Sequence, residues 1–287
     1  MESKKYRRKI CLYVLWNSQG CRHCEHGSGC QEACEVEIFT KTISKGYGFE
    51  VLTCRFPNSG SGLSMEDYIK HFIELFSHPD TLILLYYNGH GDYDERHGLD
   101  WGPGNLEETE HHPLGPEFYR RPILRQLVSA SSDVLIVLDC CRAVPPTREA
   151  CLSTPLPPQG GKTEIIGACT TAQLSSIQFS FHLPKILQAR YKSGRETSWR
   201  NLPTYIEQER KGRDNIKWER LLRTRICSSQ LPVSSYLKLH SEEETINLTP
   251  EPRGVRRMQL EIKKKLKDKL WGLTDGICNH IIHSGSW

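Results

Sequence analysis

Two short segments of the sequence carry side chains that can perform nucleophilic chemistry. The segment 88–92 reads NGHGD and places His90 between two glycines, and the segment 139–142 reads DCCR, with Cys141 as its second cysteine. A thiol attacks as the thiolate, and a neighbouring imidazole can accept its proton and later protonate a leaving amine. The pair His90 and Cys141 is therefore a candidate for nucleophilic catalysis by a thiolate, with the imidazole as its base and acid.

Each of these segments follows a continuous apolar run of strand length. Such runs, at 81–89 and 133–139, are typical of parallel strands that are buried on both faces. Predicted helices alternate with the predicted strands, which indicates an α/β fold whose parallel sheet is covered on both sides. The other predicted strands are 10–16, 49–54, 163–169 and 233–240, and the predicted helices are 64–77, 116–129 and 181–191. In the first of these helices the predicted apolar face comprises Tyr68, Ile69, Phe72, Leu75 and Phe76.

Active sites of parallel α/β sheets lie at the carboxyl ends of the strands. We therefore expect His90 and Cys141 to emerge at the same edge of the sheet. Side chains alternate between the faces of a strand, so Asp139 and Cys141 share one side while Cys140 turns into the core. The backbone amides of Gly91 and Cys141 are candidate donors to the oxyanion of the tetrahedral intermediate.

The two segments resemble the catalytic motifs of caspases and metacaspases. The letters YYNGHGD at 86–92 resemble the metacaspase motif Y-S-G-H-G, and LIVLDCCRA at 135–143 resembles their D-x-C motif and, more distantly, the caspase motif Q-A-C-R-G. The histidine and the cysteine are 51 residues apart, and about 50 is the spacing of this class. The strand-like letters TEIIGACTTAQ at 163–173 resemble the small subunit of fungal caspase-like proteins, so the resemblance covers about 10–190.

The resemblance implies a caspase-like three-layer sandwich with a mostly parallel central sheet of about six strands. It implies that His90 is the general base and acid, that Cys141 is the nucleophile and that Gly91 is an oxyanion donor. Asp139 resembles the metacaspase aspartate that binds an Arg or Lys side chain, which implies a cysteine endopeptidase that cleaves proteins and peptides after basic residues. No cofactor is required for the chemistry, and the calcium dependence frequent in the family is assigned to no particular residue.

Some residues depart from the metacaspase pattern. The cysteine is followed by RAV at 142–144 instead of His-Ser-Gly, and the early Asn-Asp-Ala segment has no clear match, although Glu32 or Glu35 is a candidate substitute for its aspartate. These departures keep open a second function, a caspase-like domain that has lost activity and serves as an adaptor.

The resemblance also predicts how the chain is divided. The predicted peptidase domain covers 1–250, with a large-subunit-like part at 1–141, a linker at 142–162 and a small-subunit-like part at 163–250. The linker is rich in Pro and Gly, which is typical of a loop. Its Arg148 and Lys162 suit self-cleavage by an enzyme that cuts after basic residues, and an uncut loop is the alternative.

The last predicted unit, 251–287, is a basic amphipathic helix and tail. Its lysine-rich face suits either anionic lipid and nucleic acid or simple exposure to solvent beside a docked apolar stripe. No aromatic residues are interleaved with the lysines, so we expect no specific nucleic-acid partner. The apolar stripe is formed by Val255, Met258, Ile262, Leu266 and Leu270.

A cluster of four cysteines gives a third candidate function. Cys21, Cys24, Cys30 and Cys34 begin with the spacing C-x-x-C, but only five residues separate this pair from the next cysteine. The alternatives are a small zinc site that serves an interaction module and a cysteine-rich surface loop.

Charge, hydropathy and cysteine usage restrict the location of the protein. The net charge is +4, and the basic residues concentrate between Arg253 and Lys269. No apolar run reaches the roughly 20 residues of a membrane span, and the basic start at 1–16 lacks a cleavage site, so a first strand is expected there. Twelve cysteines without an export signal indicate a reducing compartment, which predicts the cytoplasm or the nucleus.

Overall fold

The apolar runs of the sequence form one six-stranded sheet. The computed structural model describes residues 6–16, 35–56, 65–94, 98–102, 118–140, 160–169, 178–212, 235–239 and 245–250. The six strands are β1 (Arg8–Trp16), β2 (Glu50–Phe56), β3 (Thr81–Asn88), β7 (Asp133–Asp139), β8 (Thr163–Gly167) and β10 (Ser235–Lys238). Their order is β10-β8-β7-β3-β1-β2, and β10 is antiparallel to β8 while the other neighbouring strands are parallel.

Helices cover both faces of this sheet. Every residue of β3 and β7 is buried, and because side chains alternate between the faces, each face needs an apolar layer against it. The helices α1 (Glu35–Tyr47), α4 (Gln178–Lys192) and α5 (Leu202–Gly212) contribute to the core on one face, and α2 (Met65–Phe76) and α3 (Arg120–Ser129) to the core on the other. The predicted α/β fold with three layers and a mostly parallel sheet of about six strands is confirmed.

Helix α2 shows the predicted apolar stripe with one error. Tyr68, Ile69, Phe72 and Phe76 are buried as expected, but Leu75 is 39% exposed, so its assignment to the core face is wrong. Leu75 lies at the border of the stripe, one step away from the line that Phe72 and Phe76 form at a spacing of four.

Several short elements had no signal in the sequence. A three-stranded antiparallel sheet contains β4 (His90–Asp94), β5 (Gly98–Gly102) and β6 (Phe118–Tyr119), and a two-stranded sheet pairs β9 (Thr197–Ser198) with β11 (Asn247–Leu248). These strands are too short or too rich in Gly and Asp to show an alternating pattern. Helices α1 and α5 were also not predicted. No helix within the described ranges is both long enough and apolar enough to cross a membrane.

A buried carboxyl group connects the two-stranded sheet to the six-stranded sheet. Glu164 on β8 is fully buried, and its Oε1 accepts a hydrogen bond of 2.9 Å from the amide of Ile246, just before β11. Burial raises the pKa of Glu164 from 4.5 to about 7, against the opposing effects of the Ile246 hydrogen bond and the charge of Lys238.

We expect Glu164→Gln to make folding stability less dependent on pH. Because the pKa is higher in the folded chain than in the unfolded one, the folded state binds the proton more tightly, and wild-type stability falls as pH rises from about 4.5 to 7. The glutamine is neutral and retains the acceptor for Ile246, so the variant should be more stable at pH 8, by on the order of 3 kcal/mol. Urea unfolding midpoints at several pH values measure this, with the exposed Glu37→Gln as control. If the stability of Glu164→Gln depends on pH in the same way as that of the wild type, the raised pKa of Glu164 is contradicted.

Candidate active site

The two strands that precede the candidate catalytic residues are direct neighbours. β3 and β7 are parallel, and Asn88 at the end of β3 lies opposite Asp139 at the end of β7. The pairing continues past the strands, because the amide of Gly89 donates to the carbonyl of Asp139 at 3.4 Å. The carboxyl ends of the two strands therefore meet at the same edge of the sheet, as the sequence predicted.

The candidate histidine and cysteine each follow this last pair by two residues. His90 begins β4, where its backbone lies opposite Gly102 of β5. The next residue, Gly91, is buried and lies opposite Trp101. Cys141, with its thiol and its amide, lies outside the described residues, as does the side chain of His90. The assignment of His90, Gly91 and Cys141 to catalysis thus stays a prediction.

The turn between β3 and β4 requires a residue without a side chain. A Cβ atom on Gly89 would collide with the Tyr87 hydroxyl, and it would lie 2.6 Å from Cζ of the same ring and 3.0 Å from Nε1 of Trp16. Tyr87 is held in place because its ring stacks on Trp101 at 4.3 Å and its hydroxyl accepts a hydrogen bond from Trp16 at 3.2 Å. Gly89 therefore lets the chain pass close to these rings as it leads to His90.

Cys140 is a core residue, as the alternation of side chains predicted. It is fully buried in the apolar cluster on the α2 and α3 face, together with Leu138. The thiol of Cys169 donates to the carbonyl of Cys140 at 3.4 Å. A buried thiol in apolar surroundings is a poor nucleophile, so Cys140 is a poor candidate for the catalytic role.

The Asp139 side chain lies on the face of the sheet opposite to Cys140, within a set of buried polar side chains. It is fully buried, and its Oδ2 accepts a hydrogen bond of 3.1 Å from the Tyr86 hydroxyl. The Asn88 side chain donates to the Tyr13 hydroxyl at 3.2 Å, and the rings of Tyr13 and Tyr86 stack at 4.5 Å. We call Tyr13, Tyr86, Asn88 and Asp139 the strand-end cluster.

Three of the four residues in this cluster were not predicted from the sequence. Tyr13, Tyr86 and Asn88 read as ordinary strand residues in apolar runs. The alternation of side chains along a strand gives a signal for two of them, because Tyr86 and Asn88 are two residues apart and so lie on one face of β3. Their contacts with Tyr13 and Asp139 depend on the register between strands, which the sequence does not provide.

The candidate zinc ligands predicted from the sequence are four cysteines. Cys21, Cys24, Cys30 and Cys34 all lie outside the described residues, so the zinc site stays a prediction. Among the residues that are described, no group of three or more His, Cys, Asp or Glu side chains is arranged to hold a metal ion.

Comparisons with known proteins find similar solved structures but no similar sequence. The sequence matches no protein-family model, and no curated protein matches it. Among solved structures, protein GSU0716 from Geobacter sulfurreducens aligns with a TM-score of 0.49 and 15% identity, over 82% of this chain and 95% of that one. Caspase-1 from Spodoptera frugiperda aligns with a TM-score of 0.45 and 13% identity, over 83% and 89%. The Drosophila initiator caspase Dronc aligns with a TM-score of 0.42 and 10% identity, over 82% and 80%. These values describe a likeness in shape and assign no residue a role.

Proposed function

We propose that this chain is a cysteine endopeptidase that cleaves after Arg or Lys, with Cys141 as nucleophile and His90 as general base and acid. The observation that carries the proposal is the register of β3 and β7. Asn88 lies opposite Asp139, and the two proposed catalytic residues are each two positions further along the chain. The equal distances of the histidine and the cysteine from paired strand ends support their joint action on one substrate.

The proposed reaction follows the chemistry of thiol peptidases. The imidazole of His90 takes the proton of the Cys141 thiol, and the thiolate attacks the carbonyl carbon of the scissile bond. The amides of Gly91 and Cys141 donate to the oxyanion. His90 then protonates the leaving amine as the C–N bond breaks, and water hydrolyses the thioester to release the acid and restore the thiol.

Asp139 is the proposed selector of a basic side chain. A carboxylate recognises the guanidinium of arginine through two parallel charge-assisted hydrogen bonds. Because the Asp139 side chain has 0% of its surface exposed, the proposal requires that substrate binding opens a path to its carboxylate. A purely structural buried acid is the competing explanation, and peptides that differ only in side-chain charge distinguish the two.

The backbone contacts of Lys162 argue against self-cleavage after this residue of the predicted linker. The amide of Lys162 donates to Oδ1 of Asp133 at 2.9 Å, and its carbonyl accepts from Val134 at 2.7 Å. The following residue, Thr163, is buried at the start of β8. A backbone held in this way cannot enter an active site without unfolding locally. Arg148 lies outside the described residues, so self-cleavage there stays a prediction.

Covalent labelling tests the proposed nucleophile and the proposed specificity together. Purified protein is treated with an electrophilic peptide ketone that ends in arginine, with and without calcium, and the modified residue is located by mass spectrometry. We expect modification of Cys141 by the arginine reagent and much slower modification by a matched reagent that ends in aspartate. Absence of Cys141 labelling under both conditions would contradict the peptidase proposal and favour the inactive adaptor.

A further inference from the structure

The strand-end cluster connects three neighbouring strands through side chains on one face of the sheet. Asn88 donates to Tyr13, the Tyr13 ring stacks on Tyr86, and the Tyr86 hydroxyl donates to Asp139. All four side chains are buried, with exposed fractions of 8% for Asn88 and 1% or less for the other three. A buried network of hydrogen-bonded side chains holds each of these side chains in one arrangement.

The Tyr86 ring has little freedom to move. Tyr13 stacks on one side with an angle of 12° between the rings, and Phe39 of α1 meets the ring edge-on with centroids 4.4 Å apart. A ring packed between two others keeps its hydroxyl in a fixed position. The donated hydrogen bond of 3.1 Å therefore restricts the orientation of the Asp139 carboxyl group.

We infer that the Tyr86 hydroxyl is a specificity-determining group, because it orients the Asp139 carboxylate that selects a cationic substrate side chain. This inference rests on the proposed function. Arginine binds a carboxylate in a bidentate manner only when the two planar groups are aligned. Tyr86 is thus a positioning residue, which acts on the substrate through Asp139.

The test compares two peptides that differ in charge and hardly in shape. One has arginine at the cleaved position, and the other has citrulline, its neutral isostere. The ratio of kcat/KM for the two peptides measures recognition of charge, since a general loss of folding or of catalysis lowers both values equally. We expect Tyr86→Phe to lower this ratio by about tenfold, mainly through a higher KM for the arginine peptide.

The neighbouring tyrosine provides a matched control. Tyr87 lies on the opposite face of β3, and its hydroxyl accepts from Trp16. Tyr87→Phe removes the same atom from the adjacent residue and should leave the ratio unchanged. In an Asp139→Asn background, Tyr86→Phe should have no further effect on the ratio, because the carboxylate that it orients is gone.

Two non-natural residues extend the test if Tyr86→Phe does not fold. At position 86, 4-fluorophenylalanine fills the space of the hydroxyl without a donor and should lower the ratio. By contrast, 4-aminophenylalanine retains a donor and should restore it. Equal losses for both peptides in Tyr86→Phe or the fluorinated variant would overturn the inference.

The outcomes for the wild-type protein separate this inference from the proposed function. If the wild-type protein shows no Cys141-dependent turnover of either peptide, the peptidase proposal fails. If it cleaves both peptides equally well, the role of Asp139 in specificity fails, and the role of Tyr86 fails with it. A strong wild-type preference for arginine that Tyr86→Phe leaves unchanged contradicts the role of Tyr86 alone.

Discussion

Replacing Cys141 by alanine is expected to abolish cleavage of an arginine-containing peptide, with a loss in kcat/KM of at least about 10³-fold. The reason is that the proposed covalent step has no other nucleophile, and removal of a catalytic nucleophile typically costs enzymes of this kind several orders of magnitude. Initial rates with a fluorogenic peptide measure the loss, and the thermal unfolding temperature shows whether the variant is folded.

The adjacent cysteine is a close internal control for this experiment. Cys140 is fully buried in the apolar cluster on the α2 and α3 face, so Cys140→Ala should lower stability by about 1–2 kcal/mol and leave most of the turnover. If Cys140→Ala is inactive and Cys141→Ala is active, the assignment of the nucleophile is reversed. If both folded variants remain active, the cysteine mechanism is wrong.

Gly89→Ala is expected to damage the site without touching any proposed catalytic group. The new methyl group would overlap the Tyr87 hydroxyl and lie 2.6 Å from Cζ of that ring. Since Tyr87 is packed against Trp101 and bonded to Trp16, the backbone must move instead. Overpacking of this kind costs about 1–3 kcal/mol in stability, and a shift of about 1 Å at His90 lowers the catalytic rate by roughly 10²-fold.

Gly46→Ala gives the comparison for Gly89→Ala. Gly46 lies in α1, which carries no proposed catalytic residue. A Cβ atom at this position would lie 3.1 Å from the Tyr191 ring. We expect a small change in stability and full turnover for this variant. Wild-type turnover and stability in Gly89→Ala would show that the β3–β4 turn does not position the site.

The sequence was informative where a single element decides the outcome. The apolar runs at 81–89 and 133–139 correctly predicted two buried parallel strands, because burial on both faces demands apolar residues at every position. Alternation along one strand correctly predicted that Cys140 is buried. The rule for the carboxyl ends of parallel strands correctly placed both strand ends at one edge.

Features that depend on contacts between distant strands could not be predicted in this way. The hydrogen bond from Tyr86 to Asp139 joins residues 53 positions apart, and the bond from Asn88 to Tyr13 spans 75. Both require the register of the strands, which is set by packing in the whole sheet and not by any local pattern. The full burial of Asp139 was also not predicted, because a carboxylate at a strand end is usually in contact with solvent.

The order of the strands determines when during synthesis the sheet can be completed. β7 lies between β3 and β8, and β10 pairs with the other side of β8, so a nascent chain that ends at residue 140 would present β7 as an open edge. At about 5–20 residues per second, the roughly 100 residues from the end of β7 to the end of β10 take on the order of 5–20 s to translate. During that interval an uncovered edge is prone to pair with other chains. The six-stranded sheet is therefore complete only after β10 has been translated, and the nascent chain is prone to aggregation before that point.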